Sequence, residues 1–300
     1  MIAVDEAQSE FAAERAVVDA ALESFAVRYL GPLEGAVASA VRYSMLGEGK
    51  RLRAILLLAT YRAAGGAGDA GALAAAVEVV HAYSLVHDDL PCMDDDAVRR
   101  GQPAVHRAYG VPAATAAGLA MVPLAARAAA DAARSLGLDW LATGTIVRTL
   151  MRAAGAGGMI GGQLLDLEAE GTVLSLDQLE RVHRLKTGAL IGAAVRIGAL
   201  AASARGDVRE GFARYGDAVG LAFQIADDVL DVTSTTDQLG KTAGRDAALR
   251  KSTYPALLGL SGARARAAAL SEDACRALRV AGIASPPLEQ LARFVVARQS

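Results

Sequence analysis

The sequence predicts an all-α fold, and three observations carry that expectation. Alanine and leucine dominate a chain of 300 residues in which hydrophobic types reach 53% and aromatics only 4%, a composition rich in good helix formers. No alternating β-branched run of strand length lies between turn residues, so the period-2 pattern of a half-buried sheet is missing. Apolar residues recur instead at spacings of three and four, the period of a helix with one buried face.

The elements follow in chain order. Gly65-Gly66 precedes an apolar stretch, Ala74 to His87, in which Val79, Val80, Tyr83 and Val86 share a helical face; Pro91 should end it, because proline removes a helical hydrogen bond. Ala108 to Ala126 carries no charge but is mostly alanine with Pro112, Thr115, Gly118 and Pro123, which reads as a buried core helix and not as a membrane span. Gly157-Gly158 and Gly171 then punctuate the chain. Leu179, Val182, Leu185, Ala189 and Leu190 keep helical spacing, and Gly206-Asp207 separates them from a helix marked by Leu221, Ile225, Val229 and Val232. With no linker of biased composition and no internal repeat, residues 1–300 are expected to form a single domain.

Lys+Arg 31 against Asp+Glu 33 gives a net charge of -2, which offers no basic field to nucleic acid or to an anionic membrane. Two cysteines, Cys92 and Cys275, cannot build a disulfide framework or a thiolate metal site. The N-terminal MIAVDEAQSEF lacks the basic and apolar regions of a signal peptide. A cytoplasmic protein without membrane insertion is the expectation.

Charge is concentrated locally. Asp88, Asp89, Asp94, Asp95 and Asp96 cluster where a core-facing helix ends, with Arg99 and Arg100 following. His81, Ser84 and Asp88 share one helical face, and Asp94 can rejoin Asp88 only through an irregular turn around Pro91. The second cluster, Asp227, Asp228 and Asp231, forms with Gln224 one polar stripe, while Leu221, Ile225 and Val229 form the apolar one. Like charges four apart repel, so acids among buried-type residues call for a cation. Oxygen-only donors favour hard ions, and Mg2+ binds through one or two carboxylates plus substrate phosphates. Neither cluster has the loop pattern of an EF-hand. Lys50, Arg51 and Arg53, Arg99 and Arg100, Lys186 with Thr187, Lys241 and Lys251 supply anion-binding groups. Together these imply two diphosphates, one clamped through metal and one bound by Lys and Arg alone.

The segments GKRLR (49–53), HAYSLVHDDLPCMDDDAVRRG (81–101), GGQLLDLEAEG (161–171), RVHRLKTGAL (181–190), LAFQIADDVLDV (221–232) and LGKTAGRDAALRKSTYPALLGL (239–260) closely resemble, in order and spacing, the trans-isoprenyl diphosphate synthases, the bacterial farnesyl diphosphate synthases among them. The resemblance implies an isoprenoid synthase-like helical bundle around a central cavity, working as a homodimer. It implies that Asp88, Asp94 and Asp227, with Asp89, Asp228 and Asp231 nearby, hold three Mg2+ ions. Lys50, Arg53, His81 and Arg100 would bind isopentenyl diphosphate; Arg99, Lys186, Thr187, Gln224, Lys241 and Lys251 would surround the allylic diphosphate. The implied reaction is ionisation of the allylic diphosphate, attack by the double bond of isopentenyl diphosphate beside Lys186, Thr187 and Gln224, and loss of a proton to the released diphosphate.

In that family the residues one turn before the first aspartate set chain length. Tyr83 and Ser84, fifth and fourth before Asp88, resemble the fifteen-carbon synthases, so farnesyl diphosphate is the expected product and geranylgeranyl diphosphate the alternative. The chain departs from the usual pattern at Glu48 and Ala54, and at Gly118-Leu119-Ala120-Met121, where relatives usually read Gly-Asp-Ala-Leu; the latter is expected to alter the cavity lining. A class I terpene cyclase is disfavoured by Lys50 and Arg53. A non-catalytic subunit of a heteromeric synthase is disfavoured by the retention of both aspartate sets.

Overall fold

The structure is a computed structural model and describes residues 11–31, 33–233 and 251–298; the expected substrate ligand Lys241 lies outside them. Helix α1 (Ala12–Phe25) runs on into a wider π turn, Ala26–Leu30, and is followed by α2 (Ala36–Leu46), α3 (Leu52–Ala63) and α4 (Gly71–Asp88). A two-residue ladder, β1 (Val98–Arg99) antiparallel to β2 (Gln102–Pro103), turns at Gly101, whose φ of 74° suits glycine. It is the sole strand pair among the described residues. Then come α5 (Val105–Tyr109), α6 (Val111–Ser135), α7 (Trp140–Ala154), α8 (Met159–Glu168) and α9 (Leu176–His183), a second π turn, Arg184–Gly188, and α10 (Ala189–Ala201). Helices α11 (Gly206–Thr233), α12 (Tyr254–Val280) and α13 (Pro286–Ala297) complete the order. The all-α expectation holds.

Burial explains the layering. One apolar core gathers α1, α2, α4, α6 and α7; a second gathers α11, α12 and α13. Helices α3 and α10 divide their side chains between the two: Leu57 and Leu58 enter the first, Leu56 and Ile55 the second, and in α10 Ile197 and Val195 are split the same way. Residues 52–61 of α3 are therefore almost wholly buried, as a helix that is apolar all round requires. Gly198 lets the two central helices touch, since a Cβ there would lie 2.5 Å from the Leu57 carbonyl oxygen.

Helix α4 brings the first acidic cluster to the end of this core. Its last turn reaches Asp88, and the chain beyond Pro91 folds back so that Asp94 N donates to Asp88 O at 2.8 Å, the irregular turn foreseen from the sequence. The uncharged stretch from Ala108 is broken at Gly110 and continues as α6, whose inner face, Ala114, Ala117, Met121 and Ala125, is buried in the first core together with α4. It is not a wholly buried helix: Val111 and Leu119 are exposed on its other face. Among the described residues it alone is long and apolar enough to cross a membrane.

Candidate active site

The ends of α4, α8, α11 and the second π turn surround a cavity of about 280 Å³, lined by Ser84, Asp88, Asp94, Lys186, Thr187, Gln224, Asp227, Asp231 and Lys251, among others. Two glycines allow this convergence. A Cβ at Gly162 of α8 would lie 2.1 Å from the backbone nitrogen of Lys186, and one at Gly220 of α11 would lie 2.9 Å from Gly188 Cα. The π turn can therefore be gripped from both sides, with Lys186 and Thr187 aimed between them.

The electrostatics suit a hard cation and a polyanion. Burial raises the Asp88 carboxyl to about 6 despite the opposing pull of Lys186, with Asp94 adding to the rise, and Asp94 Oδ1 is buried without a hydrogen-bond partner. Both carboxylates would be relieved by a divalent ion. Among the described residues no three His, Cys, Asp or Glu side chains converge into a complete metal centre. On the far wall Asp166 Oδ2 accepts from Lys186 Nζ at 2.7 Å and from Lys251 Nζ at 2.8 Å. Burial would lower the Lys186 pKa, but Asp166, Asp88 and Asp94 raise it well above the ordinary lysine value, so it stays a cation.

A second, wider cavity of about 750 Å³ adjoins the first, sharing Arg53, His81, Arg99, Phe223 and Asp227 with it and adding Lys50, Arg51, Arg100 and Arg298. Four anion-binding residues expected for the second diphosphate, Lys50, Arg53, His81 and Arg100, are thus brought together. His81 Nε2 lies 3.3 Å from Arg53 Nη1 and 3.4 Å from Arg100 Nη2; burial first, then the two guanidinium groups, holds the imidazole well below its ordinary pKa, so it is neutral and its nitrogen accepts. Arg51, by contrast, is tied to Asp19 at 2.8 Å and to the Gly47 carbonyl. Arg51, Asp95 and Arg100 adopt positive φ of 50°, 47° and 55°; such strain collects where surrounding structure over-determines a site.

Two of the expected metal ligands are engaged by neighbouring protein groups. Asp89 is only 1% exposed and turned away from the first cavity, accepting a forked interaction from Arg99 Nε and Nη2; Arg99 is further held by Asp96 at 3.0 Å. Asp228 is 3% exposed with both oxygens engaged: Oδ1 accepts from Gln224 Nε2 at 3.2 Å, and Oδ2 accepts from His183 Nε2 and the Tyr254 backbone N–H, each at 3.0 Å. In a helix, adjacent positions point about 100° apart, so Asp88 and Asp227 face the mouth while the aspartate after each turns inward. Asp227 Oδ1 accepts from Arg298 Nη2 at 2.6 Å.

Ser84 lines the first cavity, whereas Tyr83 is buried behind it, its ring 5.1 Å from that of His87. Leu119 is 65% exposed, so this departure faces outward and does not alter the cavity lining as expected; the neighbouring Gly118 is the constrained position, since a Cβ there would lie 2.1 Å from His87 Nε2. Ala54 donates its backbone N–H to buried Glu78 Oε1 at 3.2 Å, and Glu48 lies on the second cavity. Sequence reasoning missed Asp166, His183 and Arg298. The first two stand inside quoted segments, GGQLLDLEAEG and RVHRLKTGAL, where a buried-type carboxylate or imidazole near lysines was the available signal; Arg298 carried none.

Residues 34–278 match the polyprenyl synthetase family. The chain is 45% identical over 279 residues to the farnesyl diphosphate synthase of Escherichia coli (strain K12), covering 90% of this chain and 93% of that one. It is 39% identical over 262 residues to a geranylgeranyl diphosphate synthase of Cyanophora paradoxa, covering 87% of each. In structure it superimposes with a TM-score of 0.78, at 30% identity, on a geranyltransferase from Helicobacter pylori complexed with magnesium and isoprenyl diphosphate, covering 94% of this chain and 95% of that one.

Proposed function

Since the chain belongs to the polyprenyl synthetase family, we propose that it condenses isopentenyl diphosphate with dimethylallyl or geranyl diphosphate to give farnesyl diphosphate and diphosphate. It is a prenyltransferase. The observation that carries the assignment to this site is the pair of adjoining cavities, one where Asp88, Asp94, Asp227 and Asp231 face Lys186 and Lys251, the other lined by Lys50, Arg53, His81 and Arg100.

Asp88, Asp94, Asp227 and Asp231 would hold Mg2+, three ions on the family pattern, with the allylic diphosphate. Bound there, Mg2+ supplies positive charge to the leaving group. Lys186 and Lys251 bind the same diphosphate from the opposite wall, and as the carbon–oxygen bond breaks they stabilise the charge developing on it. The Thr187 hydroxyl and the Gln224 amide, joined by a hydrogen bond of 2.6 Å, face the carbon end. Lys50, Arg53 and Arg100 hold isopentenyl diphosphate, with neutral His81 accepting from both guanidinium groups and keeping their forks in place. The released diphosphate takes the final proton. We assign the chain to the cytoplasm as a single-domain homodimer without membrane insertion, a reading supported by two unpaired cysteines and by exposed apolar Val111 and Leu119 on α6.

Product chain length tests this. Incubation with Mg2+, isopentenyl diphosphate and dimethylallyl, geranyl or farnesyl diphosphate should stop at fifteen carbons, and Tyr83→Ala should shift the product to twenty or more. A wild-type stop at twenty carbons would favour the geranylgeranyl alternative, which the Cyanophora relative motivates. No elongation from any starter would favour the non-catalytic subunit.

A further inference from the structure

Three hydrogen bonds link four side chains at one end of the first cavity, and the backbone of the Arg184–Gly188 turn closes them into a ring. Thr187 Oγ1 donates to Gln224 Oε1 at 2.6 Å; Gln224 Nε2 donates to Asp228 Oδ1 at 3.2 Å; Asp228 Oδ2 accepts from His183 Nε2 at 3.0 Å. His183 and Thr187 lie four residues apart across the Arg184–Gly188 π turn, so both ends of the ring start from one segment. His183 is buried, and its ring stacks on Tyr254 with centroids 5.7 Å apart at 25°. The Tyr254 backbone N–H gives Asp228 Oδ2 its other donor.

This ring decides the orientation of an amide whose two ends are nearly equal in shape. Turned end for end, Gln224 would set its oxygen against the Asp228 carboxylate, acceptor against acceptor, and would lose the Thr187 hydroxyl as donor to its carbonyl. Asp228 can impose that choice only while its own position is held, and His183 is the side chain that holds it. We propose that His183, acting through Asp228, is a positioning residue that fixes the Gln224 amide with its oxygen toward Thr187. The inference rests on the prenyltransferase reading, in which that oxygen and the Thr187 hydroxyl face the allylic cation. The nitrogen end is then kept away from developing positive charge, and the buried imidazole serves the reaction without touching substrate.

Steady-state kinetics of His183→Phe, His183→Gln, Gln224→Leu and the His183→Phe/Gln224→Leu double variant test it. Phe keeps the ring stack on Tyr254 and removes the donor, whereas Gln restores an amide donor at similar reach. His183→Phe should lose about 10- to 100-fold in kcat, the scale expected when a reacting group is displaced. Its KM for each diphosphate and its Mg2+ requirement should change by less than about twofold, and His183→Gln should recover most of the loss. The double variant should be no slower than Gln224→Leu, because a residue that acts through another is not additive with it. Wild-type kcat in His183→Phe would overturn the proposal. So would multiplicative effects in the double variant, or a loss reversed by raising Mg2+, which would make Asp228 a metal ligand. The side-chain amide 15N resonance of Gln224, identified by its absence in Gln224→Leu, should move in His183→Phe and stay in His183→Gln. That readout tests the ring even if no starter is elongated, the result that would count against the proposed function; an unmoved resonance in His183→Phe would sink the ring itself.

Discussion

Asp166 receives both lysine ammonium groups on one carboxylate oxygen, and its ionisation shows which force dominates there. Burial alone would raise its pKa, but Lys186 and Lys251 outweigh that and hold it at about 2. A depressed folded-state pKa contributes stability that is present above the unfolded value near 4 and is lost as pH falls through the folded one. Asp166→Asn should therefore cost about 2 kcal/mol in urea unfolding at pH 7, with the gap from wild type narrowing between about pH 4 and pH 2. A gap that stayed constant with pH would mean the carboxylate's shape, not its charge, matters. At this scale the sequence was legible where a residue type admits few uses: Asp88, Asp94, Lys186 and Thr187 do reach one cavity. It was not legible for Asp89 and Asp228, because a repeated aspartate string cannot say which carboxylate turns inward.

Glycine contacts between elements decide how close the helices come. Gly162 puts α8 against the π turn with no room for a side chain, and the atoms a Cβ would meet are the backbone of Lys186 and Leu185 at 2.1–2.7 Å, which cannot swing aside. Gly162→Ala should destabilise the fold by about 1–3 kcal/mol, seen as a lowered Tm, and should reduce kcat by more than tenfold because Lys186 and Thr187 move with the turn. Retained kcat with a lowered Tm would show that the site tolerates the displacement. Helix existence was legible from period and composition, α4, α9 and α11 above all. The π geometry at Arg184–Gly188 was not, since the pattern of buried residues there reads as ordinary helix and the close approach of α8 and α11 through Gly162 and Gly220 is invisible to a local period.

For the whole molecule, the exposed apolar side chains of α6 carry the assembly prediction. Sedimentation equilibrium should return twice the chain mass, and Leu119→Lys should weaken the dimer by at least about tenfold, as a buried interface anchor would; an unchanged mass distribution in the variant would place the interface elsewhere. What the sequence by itself determined is the helical class, the two acidic clusters with their cations, and the family they resemble, since those follow from local periodicity and from residue types that only a few chemistries require. Tertiary structure alone decided that α3 and α10 would separate two cores, that Lys186 and Lys251 would meet on Asp166, that Leu119 would face outward, and that Asp89 and Asp228 would serve Arg99 and Gln224. The physical reason is common to all four: each depends on which neighbour a side chain meets across the bundle, and a helical period specifies the direction a residue points but not what waits there.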